Sequence, residues 1–133
     1  MILFIDTSAK TFELALYEKS GNLVDKFTSE DEKSHSDNLL ASVEALLQKN
    51  DYAKADLETI AVNTGPGSYT GLRVGVATAN ALAFALNIPI VGIKTNNDPA
   101  DIIKTDKKTT FSHPAQVYYE NSPHITKPKP LNA

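Results

Sequence analysis

The stretch Asn63-Thr64-Gly65-Pro66-Gly67-Ser68-Tyr69-Thr70-Gly71-Leu72-Arg73 decides how the rest of the chain is read. Thr59-Ile60-Ala61-Val62-Asn63 runs into it as a strand, and helical spacing from Thr70 to Leu86 leads out of it. Gly-Pro-Gly is therefore a strand-to-helix turn, which gathers free amides at a helix N-terminus where an anion can sit. The turn lacks the Lys-Ser/Thr pair of a Walker A loop, and Gly65, Gly67 and Gly71 are spaced one residue too far for a dinucleotide fingerprint. Ser68 does not stand in G-x-S-x-G either. The alternative reading is a tight turn whose glycines supply unusual dihedrals.

Beyond the turn, Gly71, Gly75, Ala79 and Ala83 repeat at four-residue intervals and leave one helix stripe almost without side-chain bulk. Glycine inside a helix costs about 1 kcal/mol relative to alanine, so the stripe implies a close neighbour. That neighbour is either the chain's own sheet or a partner's helix. After Pro89, Ile90-Val91-Gly92-Ile93 reads as a further strand.

Toward the N-terminus, Ile2–Ile5 is a short apolar run of the kind a buried strand gives, followed by strands over Phe12–Tyr17 and Leu23–Thr28 across a Ser20-Gly21-Asn22 turn. Ser34-His35-Ser36-Asp37 has the spacing of a capping box ahead of Leu39, Leu40, Val43, Leu46 and Leu47, predicting an amphipathic helix over Ser36–Lys49. Strands joined through helices predict an α/β fold, a five-stranded mixed sheet with two main helices. Asp6-Thr7-Ser8 ends the first strand either as a metal or phosphate corner or as an Asx turn.

Composition narrows the function. The chain has 133 residues and a net charge of -3, which argues against a dedicated nucleic-acid-binding domain and leaves any RNA to a partner. It has no cysteine, so disulfides, thiolate metal sites and cysteine nucleophiles are excluded, and a reducing, cytoplasmic setting is expected. No apolar run approaches the roughly 20 residues that span a bilayer, and the opening residues lack the features of a leader. His35, His113 and His124 form no metal-binding pair, so neither a metal nor another cofactor is expected. Arg73, the only arginine, either pairs with a carboxylate or is solvated.

Charge and proline divide the chain near Lys94. Residues 1–93 hold all six glycines and 12 acidic against 7 basic residues (net -5), whereas residues 94–133 hold five of the seven prolines and 6 basic against 4 acidic residues (net +2). Residues 1–93 are read as the folded lobe, 94–108 as a loop or short irregular helix, and Gln116-Val117-Tyr118-Tyr119 as one edge strand or extended tail.

These residues together resemble a known family. Ile5-Asp6-Thr7-Ser8 with its hairpin, Ser34-His35-Ser36 before Leu39-Leu40, Gly65 to Gly75, and Asn87-Ile88-Pro89-Ile90-Val91-Gly92 are similar to the TsaB (YeaZ) family of bacterial tRNA threonylcarbamoyladenosine biosynthesis. The resemblance implies a ribonuclease H-like lobe of the actin-like ATPase superfamily. It also implies a non-catalytic accessory subunit that binds and activates TsaD, which threonylcarbamoylates adenosine 37 of tRNA. The implied partner surface is His35, Leu39, Leu40, Val43 and Leu47 on the first helix with Tyr69, Leu72, Arg73, Val76 and Asn80 on the second. A TsaE-like ATPase is a further implied partner, with tRNA met only indirectly and a homodimer formed by the same helices when the chain is alone. Only about 40 residues follow the segment that matches Val91-Gly92, so most of the family's second lobe is expected to be missing, with 94–133 as its remnant. Without that lobe, Asp6, Thr7, Ser8, Gly65, Gly67 and Ser68 are at most a vestigial phosphate site. The paired histidines of TsaD are absent, so a peptidase reading has no support. A minimal actin-like nucleotide-binding protein is the competing class.

Overall fold

The computed structural model describes residues 1–29 and 35–104. The order is β1 (Ile2–Asp6), β2 (Glu13–Tyr17), β3 (Leu23–Thr28), α1 (His35–Lys49), a 3-10 turn (Lys54–Asp56), β4 (Thr59–Gly65), α2 (Tyr69–Leu86), β5 (Ile90–Lys94) and α3 (Pro99–Lys104). The strands form one sheet in the order β3-β2-β1-β4-β5. β1, β2 and β3 are antiparallel neighbours, and β4 and β5 run parallel to β1. This is the expected five-stranded mixed sheet with helical cover. The expected capping box at Ser34 and edge strand at 116–119 lie outside the described residues.

Each strand's two-residue alternation divides the core into two layers. Leu3, Ile5, Leu14, Leu16, Ile60 and Val62 meet α1 and α2, which contribute Leu39, Val43, Leu46 and Leu47 on one side and Val76, Ala79, Leu82 and Ala83 on the other. On the opposite face, Ile2, Phe4, Ala15, Tyr17, Ala61 and Ile93 pack with Ile103 of α3. The folded lobe therefore continues past residue 93 through β5 and α3 to Lys104.

The small-residue stripe of α2 faces the sheet. A Cβ on Gly71 would strike the carbonyl oxygen of Thr7, and one on Gly75 would strike the Thr7 hydroxyl. Ala79 and Ala83 continue the same buried stripe. Thr7 is fully buried and its Oγ1 donates to the Gly71 carbonyl at 2.5 Å, which ties the helix to the end of β1. Gly21 meets a different requirement, closing the β2–β3 hairpin at φ 98°.

Polar contacts tie α1 to the far edge. The Asp25 carboxylate on β3 accepts from Asn50 Nδ2 at 2.9 Å, from the Lys26 amide at 2.8 Å and from Lys49 Nζ at 3.3 Å. Asn50 Nδ2 also donates to the Leu46 carbonyl, satisfying the end of α1. The Asn50 hydrogen bond, followed by that of the Lys26 amide, holds the Asp25 carboxyl below its ordinary value.

Two outcomes are expected. Gly71→Ala adds a methyl where the Thr7 backbone already stands, so it should destabilise the lobe by about 1–2 kcal/mol despite better helix propensity; a urea midpoint that is unchanged or raised would contradict the packing. For Asp25, a pKa lowered in the folded state stabilises above the unfolded value and is lost as pH falls through the folded one. Asp25→Asn should therefore flatten the decline in the thermal midpoint between about pH 5 and pH 2, and an identical slope in both proteins would rule this contribution out.

Candidate functional site

The polar residues of the lobe converge where β1 and β4 end and α2 begins. Asp6 Oδ1 accepts three hydrogen bonds: from the Ser8 amide at 2.9 Å, from Ser8 Oγ at 2.7 Å and from Asn63 Nδ2 at 3.1 Å. The first is an Asx turn, one of the two readings that Asp-Thr-Ser allows. Asn63 is buried, and its Oδ1 accepts from the Gly65 amide at 2.7 Å and from Thr95 Oγ1 at 3.1 Å. Thr95 also donates to the Pro66 carbonyl at 2.5 Å. Asn63 thus joins β1, the glycine turn and the residue after β5.

The turn's amides are committed in the same way. The Gly65 amide is held by Asn63, the Ser68 amide donates to the Ser8 carbonyl at 2.8 Å, and the Gly71 amide donates to the Ser68 side chain at 3.3 Å. Gly65 sits at φ 107° and its peptide bond to Pro66 is cis. Gly67 lies flat on Ser8, where a Cβ would come within 2.6 Å of the serine Cβ. The glycines therefore bring the backbone of the turn against the Asp6-Thr7-Ser8 corner, with a carboxylate in the middle of the cluster. An anion cradle needs amides turned outward and positive potential; here the Gly65 and Ser68 amides are bonded to Asn63 and Ser8, and the Gly71 amide to the N-capping Ser68. Asp6, Thr7, Ser8, Gly65, Gly67 and Ser68 do come together as expected, but as a closed structural latch. Among the described residues no three His, Cys, Asp or Glu side chains are grouped to hold a metal, and no helix is long and apolar enough to cross a membrane.

The helix surface requires a correction. Leu39, Val43 and Leu47 of α1 and Leu72 and Val76 of α2, expected at a partner interface, are buried, all but Leu72 in the core layer shared with the sheet. The largest apolar side chains of an amphipathic helix face the core that encloses them, so these five offer a partner no surface. Leu40 is 44% exposed, Arg73 is exposed and Asn80 half-buried, whereas the side chains of His35 and Tyr69 lie outside the description.

The outward face of α2 is a different set. Thr70, Arg73, Ala77, Ala81 and Phe84 follow one another at intervals of three and four residues, and all are exposed. Phe84 is 89% exposed, more than any other large apolar side chain described. On α1, Leu40 and Glu44 are also exposed. The sequence reading passed over Phe84 and the two alanines because it followed the bulky apolar stripe. The available signal was an aromatic in line with small residues on the opposite side of the same helix.

A mixed sheet of order β3-β2-β1-β4-β5, with two helices on one face, defines a ribonuclease H-like lobe of the actin-like ATPase superfamily. Residues 23–118 match the family model described as "TsaD: tRNA N6-adenosine threonylcarbamoyltransferase". The chain belongs to this family. It is 40% identical over 94 residues to the tRNA threonylcarbamoyladenosine biosynthesis protein TsaB of Bacillus subtilis, covering 71% of this chain and 41% of that protein. With the protein of the same name from Escherichia coli it shares 30% identity over 94 residues, 71% of this chain and 40% of that one. The solved structure of YeaZ from Pseudomonas aeruginosa superposes with a TM-score of 0.63 at 30% identity, over 70% of this chain and 44% of that one. The chain thus spans less than half the length of these relatives.

Asn63→Leu should destabilise the lobe by about 2–3 kcal/mol, because it leaves the buried Gly65 amide without its acceptor and removes the donor to the Asp6 carboxylate. Chemical denaturation checks this, and a loss below about 0.5 kcal/mol would mean the latch does not hold the turn.

Proposed function

We propose that this chain is a non-catalytic partner subunit that binds and activates a TsaD-like transferase in threonylcarbamoyladenosine synthesis on tRNA, through the outward faces of α1 and α2. The observation that carries the reading is the exposed α2 stripe ending in Phe84. Ala77 and Ala81 let a second helix approach closely, and burial of Phe84 alone is worth about 1.5–3 kcal/mol. Relatives named as TsaB biosynthesis proteins support the pathway. A non-catalytic role is supported by the Gly65 and Ser68 amides, which are committed to Asn63 and Ser8. The net charge of -3 fits a subunit whose partner holds the tRNA.

The test is light scattering on this chain mixed with the TsaD-like transferase of the same organism, together with threonylcarbamoyl transfer to tRNA. A one-to-one complex with raised transfer activity is expected. Phe84→Asp or Ala77→Glu should weaken that complex at least about thirtyfold, with an unchanged circular dichroism spectrum. No complex at micromolar concentration would remove the proposal. A dimer of the chain alone that Phe84→Asp dissolves would place a second copy on the same face. Leu39 and Val76 are unsuitable probes, since their substitution disrupts the core.

A further inference from the structure

A cavity of about 280 Å³ lies between β3 and α1. On the sheet side it is lined by Phe12 and Phe27, whose ring centroids are 6.1 Å apart with the planes tilted by 49°. On the helix side it is lined by Asn38, Ala41, Ser42 and Ala45, where the alanines leave space that larger side chains would fill. Ser29, the residue after β3, also lines it and is only 8% exposed. The Ser29 amide donates to the Phe12 carbonyl at 2.9 Å, and Ser29 Oγ accepts from the Phe12 amide at 3.0 Å, so two backbone bonds hold this serine at the cavity. Its hydroxyl proton has no acceptor among the described residues. Buried hydroxyls are ordinarily satisfied, by protein, water or ligand.

We propose that this cavity binds a neutral two-ring heteroaromatic molecule that presents a hydrogen-bond acceptor to Ser29 Oγ. Volume sets the size: an apolar cavity of about 150 Å³ takes one benzene ring, so this one admits two fused rings. The lining sets the character of the faces. Phe12 and Phe27 offer aromatic surface on which a flat ring packs, and covering Phe27, 39% exposed, removes apolar area from water. No acidic or basic residue is among the described residues that line the cavity, so a charged ligand would lose its hydration without gaining a counter-charge. The polarity of the edge follows from Ser29. Its oxygen is already taken as an acceptor by the Phe12 amide, so what it has left to give is a proton, and the complementary ligand atom is an acceptor. A mostly apolar concave site with one convergent polar group is the usual form of a small-molecule pocket. None of the lining residues belongs to the exposed α2 stripe, so the site stands apart from the surface proposed for the partner.

The test is an amide chemical-shift titration of the full-length protein with two probes at mildly alkaline pH, where both are uncharged. Isoquinoline carries a ring-nitrogen acceptor, whereas indole has nearly the same size but an N–H donor in its place. Saturable shifts centred on Phe12, Phe27, Ser29 and Ala45 are expected for isoquinoline, with Kd below about 1 mM and at least about tenfold tighter than for indole. Ala45→Leu fills the cavity from an exposed helix position and should weaken isoquinoline at least about tenfold while the remaining spectrum is retained. Ser29→Ala should abolish the preference for isoquinoline. Because that change also takes the acceptor from the Phe12 amide, Ala45→Leu, which leaves that bond in place, decides the location if Ser29→Ala fails to fold. Equal binding of the two probes would overturn the proposal, as would isoquinoline shifts that persist in Ala45→Leu. The absence of any saturable shift would mean that water or another part of the chain fills the cavity, and would overturn it equally.

Discussion

The approach of Thr7 to Gly71 and Gly75 is the contact on which the rest of the lobe depends. Thr7 is buried at the end of β1, donates to the Gly71 carbonyl and fills the space that a side chain at either glycine would need. That contact fixes the height and rotation of α2 on the sheet. Once α2 is seated, its N-terminus meets β4 through a turn that folds back onto Ser8, and Gly67, having no side chain, leaves the room for that approach. The two glycines in the helix cost about 2 kcal/mol of helix propensity, offset by close packing and by a hydrogen bond to a buried hydroxyl.

Seating α2 in this way determines what each of its faces can do. With Gly71, Gly75, Ala79 and Ala83 turned inward, the stripe on the other side remains outside, and it is also built of small residues apart from Arg73 and Phe84. α2 is therefore a helix thin on both sides, with one side already used by the sheet. An isolated 89% exposed phenylalanine on such a face is costly in water. The same geometry commits the turn's amides to Ser8 and Asn63, because a backbone brought close enough to pack on Ser8 is close enough to bond to it. Tight packing and an open anion cradle are competing uses of one turn, and here packing wins.

Much of this was legible in the sequence. β3 fell at Leu23–Thr28 as read, and α1, α2, β1, β2 and β5 each differ by one residue at one end. β4 runs two residues further than the pattern gives, since its parallel ladder with β5 continues past an irregularity at Asn63/Gly65 through residues that locally read as a turn. The direction of the helix faces was not legible. An amphipathic pattern states that a stripe is buried but not by what, and Leu39, Val43, Leu47 and Val76 are buried in the lobe's own core, with Leu72 buried as well. Asn63 was also missed as an organising residue, because its partners at Asp6 and Thr95 lie 57 and 32 positions away.

The two faces of the sheet differ in a way that bears on how the lobe holds together. The helix side is covered by 33 helical residues, 15 in α1 and 18 in α2, whereas the opposite side is covered among the described residues by the six of α3. Small cover suffices because that side is built low: Ala15 and Ala61 stand in its middle, and Ile103 closes over them with Phe4 and Tyr17. Tyr17 reports the same closure, its hydroxyl pushed up chiefly by burial and then by the nearby charges of Asp98 and Glu13. α3 therefore does not decorate the lobe. It covers the second layer, and its last residue, Lys104, lies against the hairpin that opens β3, so closure of the back face is set by one short helix.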